Sequence, residues 1–318
     1  PALVFGAALA AGAAIAAAML IPLAELFLNS GDYAHRVDRP AGHSDVRYLG
    51  AFFLFDYWGR PTQTSLIPDI VSNRGFYAGG ITLMLAAAAL ILRPAAMRLA
   101  FAGLGLLALA VVLGVDPFFS IVTALPGFRT AHNGRLVFLV LFALAMLAGW
   151  GLDDLTSREQ AAAWRRRLTI AVASAIFCLP IVWMLVAGTL SPSKLGDALE
   201  VAWGFADPPV APIGQPPGAH VAAIVRLSAL LQWLPLAGAG LALVLLRLSP
   251  AGSRARAMVP VAAVTAAAVL VLSVDLFRAN MGFNPAIPIE HATQPITPAL
   301  RYLQERAPNR FAVLSRPG

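Results

Sequence analysis

The chain is 318 residues long, 59% hydrophobic and only 12% charged, with a mean hydropathy of +0.75. Soluble domains carry about 25% charged residues, so a water-soluble globular class is excluded and an integral membrane protein is expected. The net charge of +7 comes from dispersed arginines rather than one basic patch, which argues against nucleic acid as a partner.

A membrane-crossing helix needs about 20 largely apolar residues, and in hydrocarbon its backbone amides must be satisfied within the segment. Seven stretches qualify: 3–28, 76–92, 99–115, 136–152, 168–190, 223–248 and 258–277. They predict an all-α polytopic membrane protein with a transmembrane helical region over 1–277. Runs such as "GLGLLALAVVLG" and "LAGAGLALVLL" offer small-residue seams for close helix packing.

The arginines order the loops. Arg93 and Arg98 flank one short turn, Arg158 and Arg165 to Arg167 lie in a second, and Arg247, Arg254 and Arg256 mark a third. The positive-inside rule puts these turns in the cytoplasm. The chain then starts inside, and seven crossings leave its tail outside. The outer face receives 29–75, 116–135, 191–220 and everything after Arg278.

In that tail, Thr297 as N-cap and Pro298 at the first helical position predict a short amphipathic helix over "TPALRYLQERA". "RFAVL" reads as a strand. Residues 278–318 thus look like the start of an exoplasmic α/β or β-rich domain. The chain opens on Pro1 inside an apolar run, so a fragment of a longer protein is expected.

Soluble catalytic signatures are missing: there is no phosphate-binding glycine loop, no nucleophile elbow and no zinc-protease helix. The five histidines are scattered, and the one cysteine, Cys178, sits in an apolar run. No cofactor is evident and no metal site is encoded. Asp153 and Asp154 read as a solvated pair at a helix end, beside the cytoplasmic arginines.

The outer face carries the candidate site residues. In "AFFLFDYWGRPTQ", Asp56, Tyr57, Trp58 and Arg60 lie together. One reading is an interfacial helix, since Trp and Tyr favour the headgroup level. The other is a sugar-binding surface, with rings stacked on a sugar and the charged groups bonded to hydroxyls or phosphate. His132, Asn133 and Arg135, with Arg129 just before them, could bind a lipid phosphate at a helix start; the alternative is snorkelling. Asn73 and Arg74 allow the same two readings. Weaker candidates are Glu25, Asp275 (which could pair with Arg278) and Arg226, read as snorkelling.

Six stretches carry a resemblance: "PLAELFLNS", "DYWGRPTQ", "NRGFYAGGITLMLAAAAL", "LPGFRTAHNGRLVFLVLFALAMLAGWGLDDL", "VDLFRANMGFNPAIP" and "TPALRYLQ". In this order, over nearly the whole chain, they resemble the YfhO family of bacterial membrane proteins; 127–155 is the most specific part. The resemblance implies a GT-C type glycosyltransferase in the bacterial plasma membrane. It would take a polyprenyl-phosphate-linked sugar as donor and a cell-envelope polymer such as a teichoic acid as acceptor, on the outer face. Enzymes of this type place their main catalytic carboxylate in an early outer loop, which the resemblance puts upstream of residue 1. No catalytic residue is therefore carried over, Asp56 is not its counterpart, and any divalent-metal requirement would rest upstream as well.

On this view Arg135, aided by Arg74 or Arg60, binds the donor phosphate, and Asp56, Tyr57 and Trp58 line the sugar or acceptor groove. Two other readings compete: a transporter or flippase of a lipid-linked glycan, and a non-catalytic envelope-assembly scaffold. Transporters tend to carry charge at mid-membrane, whereas here the polar residues gather at the outer helix ends.

Overall fold

The computed structural model describes residues 2–31, 37, 39, 41–59, 66, 75–125, 127–157, 161–204, 217–248, 259–281 and 297–306. Arg60, Asn73, Arg74, Arg158, Arg254, Arg256 and the expected "RFAVL" strand lie outside the described residues. The chain divides into two units, Pro1–Met281 and Gly282–Gly318.

The first unit contains α1 (Ala2–Leu28), α2 (Gly80–Leu92), α3 (Ala96–Val112), α4 (Phe118–Thr123), α5 (Val137–Thr156), α6 (Ala163–Val186), α7 (Pro192–Trp203), α8 (Ala219–Leu248) and α9 (Val261–Asn280). Two 3-10 turns, Val46–Phe52 and Asn133–Leu136, lie between them. In the second unit α10 (Pro298–Gln304) forms at the expected Thr-Pro start, and the Arg306 guanidinium lies 3.6 Å over the Tyr302 ring.

Among the described residues, five helices are long and apolar enough to cross a membrane: α1, α5 with the turn before it, α6, α8 and α9. The chain is a membrane-embedded helical protein. The two remaining apolar stretches form helices of 13 and 17 residues, α2 and α3. At about 1.5 Å per residue these span roughly 20 and 25 Å, less than the roughly 30 Å of hydrocarbon.

α2 begins four residues later than its apolar run. Gly79 has φ +81°, and a Cβ there would stand 2.5 Å from Asp275 Oδ2. Only glycine suits that backbone and that approach. The Phe52 carbonyl accepts the amides of Ala78 and Gly79, both at 3.3 Å, so the chain turns into the helix instead of continuing it.

α2 is the hub, packed against α5, α6 and α8, with Met84, Ala88 and Ala89 fully buried. In lipid, helices associate through close packing rather than the hydrophobic effect, so small residues mark the contacts. Gly151 of α5 sits on the α2 backbone, where a Cβ would fall 1.9 Å from the Leu85 carbonyl oxygen. Of the expected seams, Gly240 packs on Ile81 and Gly105 on Ala143, while Gly103 meets nothing. Gly151→Leu forces α5 off α2; a loss of about 2–3 kcal/mol is expected from such overpacking, read as a lower unfolding midpoint in detergent.

At one end of the bundle the arginines hold helix ends. Arg98 pairs with both oxygens of Asp154 and donates to Ala89 O at 2.9 Å. Arg165 donates to Leu92 O at 3.1 Å and Arg247 to Leu155 O at 2.9 Å. The last carbonyls of a helix have no internal partner and carry partial negative charge, so guanidinium groups cap α2 and α5. Asp154 is therefore not solvated as expected: it is 9% exposed, because Arg93 and Arg98 close over it.

Candidate functional site

The opposite end of α2 lies under a recess. Gly80 abuts Trp233 and Ala237 of α8, so the 14 residues of α8 before Trp233 reach about 20 Å beyond the start of α2. The ends of α6 and α9 contribute Trp183, Asp275 and Ala279. Residues 46–59 fill this space as a 3-10 turn followed by consecutive turns, closed by Tyr57 N–H to Leu54 O at 3.0 Å and Gly59 N–H to Asp56 O at 2.9 Å. Ala51, Leu54, Phe55, Asp56 and Tyr57 are all buried.

Non-helical backbone is tolerated at membrane depth only inside protein or along a cavity, and this segment meets the first condition. The interfacial-helix reading is thereby replaced: Phe52 packs with Phe76 and with α3 and α5, Phe55 with Tyr77 and Ala279, and Tyr57 against α6 and α8.

Tyr57 and Trp58 form an edge-on pair with ring centroids 4.9 Å apart. Arg226, from the first third of α8, lies over both rings at 5.0 and 5.1 Å. Its Nε is buried without a hydrogen-bond partner, and it has no carboxylate partner among the described residues. It is a held cation, not a snorkelling one, because two ring faces supply its attraction.

The rings are fixed by their polar atoms. Trp183 Nε1 donates to Tyr57 Oη at 2.8 Å, and Trp58 Nε1 to Arg47 O at 3.1 Å. Trp183→Phe leaves the Tyr57 hydroxyl without its donor; a loss of about 1 kcal/mol is expected, measurable by detergent unfolding.

Beside the rings lies a cavity of about 440 Å³, bounded by residues 46–58 on one side and Leu179, Pro180 and Trp183 of α6 on the other. Its walls are apolar apart from Arg47. That guanidinium is tied to Asp45 through Nε at 3.0 Å and Nη2 at 2.8 Å. The Arg47 side-chain and backbone hydrogen bonds hold the Asp45 carboxyl below its ordinary range. The pair persists at neutral pH and is lost only as acid brings Asp45 through that lowered value.

A second polar element is internal. The Tyr77 hydroxyl donates to Asp275 Oδ1 at 2.5 Å, and the Tyr77 ring meets Phe55 edge-on at 5.3 Å. The expected Asp275–Arg278 pair does not form. Arg278 instead donates to Ala202 O at 2.7 Å and stacks on Trp203 at 5.2 Å, while Asp275 is taken by Tyr77.

His132, Asn133 and Arg135 occupy a different place. Asn133 is 2% exposed; its amide hydrogen bonds run to Gly42 O at 2.9 Å and, from the side chain, to Phe128 O at 3.0 Å. His132 bridges to Gly42, and Arg135 is exposed just before α5. This turn packs against α3, while Tyr57 meets Trp183 of α6 and both Tyr57 and Trp58 lie under Arg226 of α8. Among the described residues, no group of three His, Cys, Asp or Glu could hold a metal ion.

Arg47, Trp183 and Arg226 frame this recess and cavity and were passed over or demoted in the sequence reading. For Arg226 the available signal was a charge inside an apolar helix, which by default marks a functional position. No family model, curated protein or solved structure matches the chain.

Proposed function

We propose that the protein is a membrane glycosyltransferase that moves a sugar from a polyprenyl-phosphate donor to a cell-envelope polymer on the outer face of a bacterial plasma membrane. On this reading α2 and α3 complete seven crossings, the arginine-capped end is cytoplasmic, and the recess opens outward. The observation that carries the reading is the apolar cavity framed by Arg47 at its rim and by Arg226 over its Tyr57–Trp58 wall. That pairing of greasy space and positive charge suits an amphiphile with a phosphate head.

In the reaction the acceptor hydroxyl oxygen bonds to the anomeric carbon as the bond from that carbon to the phosphate oxygen breaks. The phosphate keeps the electron pair, and the hydroxyl proton goes to a carboxylate base. Positive charge aimed at the leaving phosphate lowers the barrier, a role for Arg226 and Arg47. The family resemblance assigns the base to an early outer loop rather than to Asp56; Asp56, Tyr57 and Trp58 border the sugar or acceptor groove.

Arg135, being exposed, makes a weaker phosphate contact: Arg135→Ala lowers envelope-polymer decoration by less than tenfold. Decoration unchanged at normal expression removes it from the site. Asp56→Asn separately tests the groove, and normal turnover would leave that residue a structural role.

A flippase of the lipid-linked glycan is the second reading. It draws on the buried Asp275–Tyr77 pair and on a short helix that begins within the bundle, features of membrane transporters. Sugar transfer by the full-length protein in proteoliposomes, against movement of labelled lipid with no new bond, separates the two.

A further inference from the structure

We propose that the cavity between α6 and residues 46–58 holds the isoprenoid chain of the lipid phosphate, which enters sideways from the bilayer, with the phosphate on Arg47. This assignment rests on the transferase reading for the identity of the lipid.

Three observations carry it. First, the cavity is bounded by Leu49, Phe53, Tyr57, Trp58, Leu179 and Trp183, and among the described residues Arg47 is the one charged group on its boundary. A long chain with a single anionic end matches that distribution. Second, the cavity is continuous with the lipid-facing side of a membrane-spanning helix. Leu179, Val182 and Trp183 of α6 are 52%, 51% and 56% exposed, so a chain passes from lipid into the cavity without crossing water. Third, the Arg47 side chain is 60% exposed although paired with Asp45. Its Nε and Nη2 serve Asp45, which leaves Nη1 to donate to a phosphate oxygen. Arginine suits this because its planar fork serves two acceptors at once.

The chain would lie along Leu49, Phe53 and Leu179, with its head at the level of Trp58. Trp183 and Tyr57, joined by their hydrogen bond, line the cavity beside that route from lipid.

The test is photolabelling of the purified full-length protein in lipid nanodiscs, using a polyprenyl phosphate that carries a diazirine on its chain and no sugar, with the label mapped to peptides. The expected result is label on the 179–183 or 49–54 peptides, competed by unlabelled polyprenyl phosphate and not by two-chain phosphatidylglycerol. Leu179→Trp, which fills the cavity from α6, and Leu49→Trp, which fills it from the other wall, each cut labelling about tenfold. Arg47→Gln weakens competition by polyprenyl phosphate more than by the corresponding polyprenol.

Label on other peptides, labelling indifferent to both tryptophan variants, or equal competition by phosphatidylglycerol overturns the assignment. Label in the cavity without sugar transfer keeps the lipid site and removes the transferase reading. Transfer with label elsewhere does the reverse.

Discussion

Asp154→Ala destabilises the bundle by about 3–5 kcal/mol, the range for breaking a buried ion pair from one side. The side chain of Asp154 is 3% exposed and that of Arg98 13%, so removing the carboxylate leaves a largely buried guanidinium with the Ala89 carbonyl and the Trp150 ring but, among the described residues, no counter-charge. Arg93, 3.7 Å from the same carboxylate, loses that contact and keeps its hydrogen bond to Ser157. The damage falls where α2, α3 and α5 meet, and α2 is the helix the others pack on. Asp154→Asn falls between, since an amide still accepts one hydrogen bond. Unfolding in detergent reads the effect. A loss under about 1 kcal/mol would mean that the pair behaves as an exposed one and that the arginine end is not a structural lock.

Arg226→Gln lowers sugar transfer about 10- to 100-fold, while protein level and unfolding midpoint stay close to wild type. A hydrogen bond to a charged group contributes about 1.5–3 kcal/mol, and each 1.4 kcal/mol is about tenfold. Glutamine keeps a polar group over Tyr57 and Trp58 but removes the charge. Lysine restores the charge without the planar face that stacks on both rings, so Arg226→Lys recovers transfer only in part. Full activity of Arg226→Gln in a proteoliposome assay would remove Arg226 from the donor site and leave it as a clamp on two aromatic rings.

The membrane helices were legible because lipid asks for long apolar runs, and α5, α6, α8 and α9 lie where such runs predict them. The start of α2 was not. Phe76 and Tyr77 are apolar enough to extend the helix, and they are turned out of it where the Phe52 carbonyl takes the Ala78 and Gly79 amides and Asp275, nearly 200 positions away, stands against Gly79. The burial of residues 46–59 was hidden for a similar reason, since it depends on how α3, α5, α8 and α9 close around the segment, a relation between helices rather than a property of any one.

The candidate residues divide along the same line. Asp56, Tyr57 and Trp58 stood out by composition and do sit together in a walled recess. Arg226 reaches that recess only through the fold. Asp154 and Arg98 are 56 positions apart, and neither sequence context signals the other. The arginines of the short turns were read as topology signals; Arg98, Arg165 and Arg247 also cap helix ends, a role that depends on which carbonyls the packing leaves open.

Sugar transfer from a polyprenyl-phosphate donor, followed with the full-length protein in proteoliposomes, tests the central claim most directly. The account predicts a new glycosidic bond on the envelope-polymer acceptor, strongly reduced by Arg226→Gln. Movement of labelled donor across the bilayer with no bond formed, or transfer indifferent to Arg226, would contradict it.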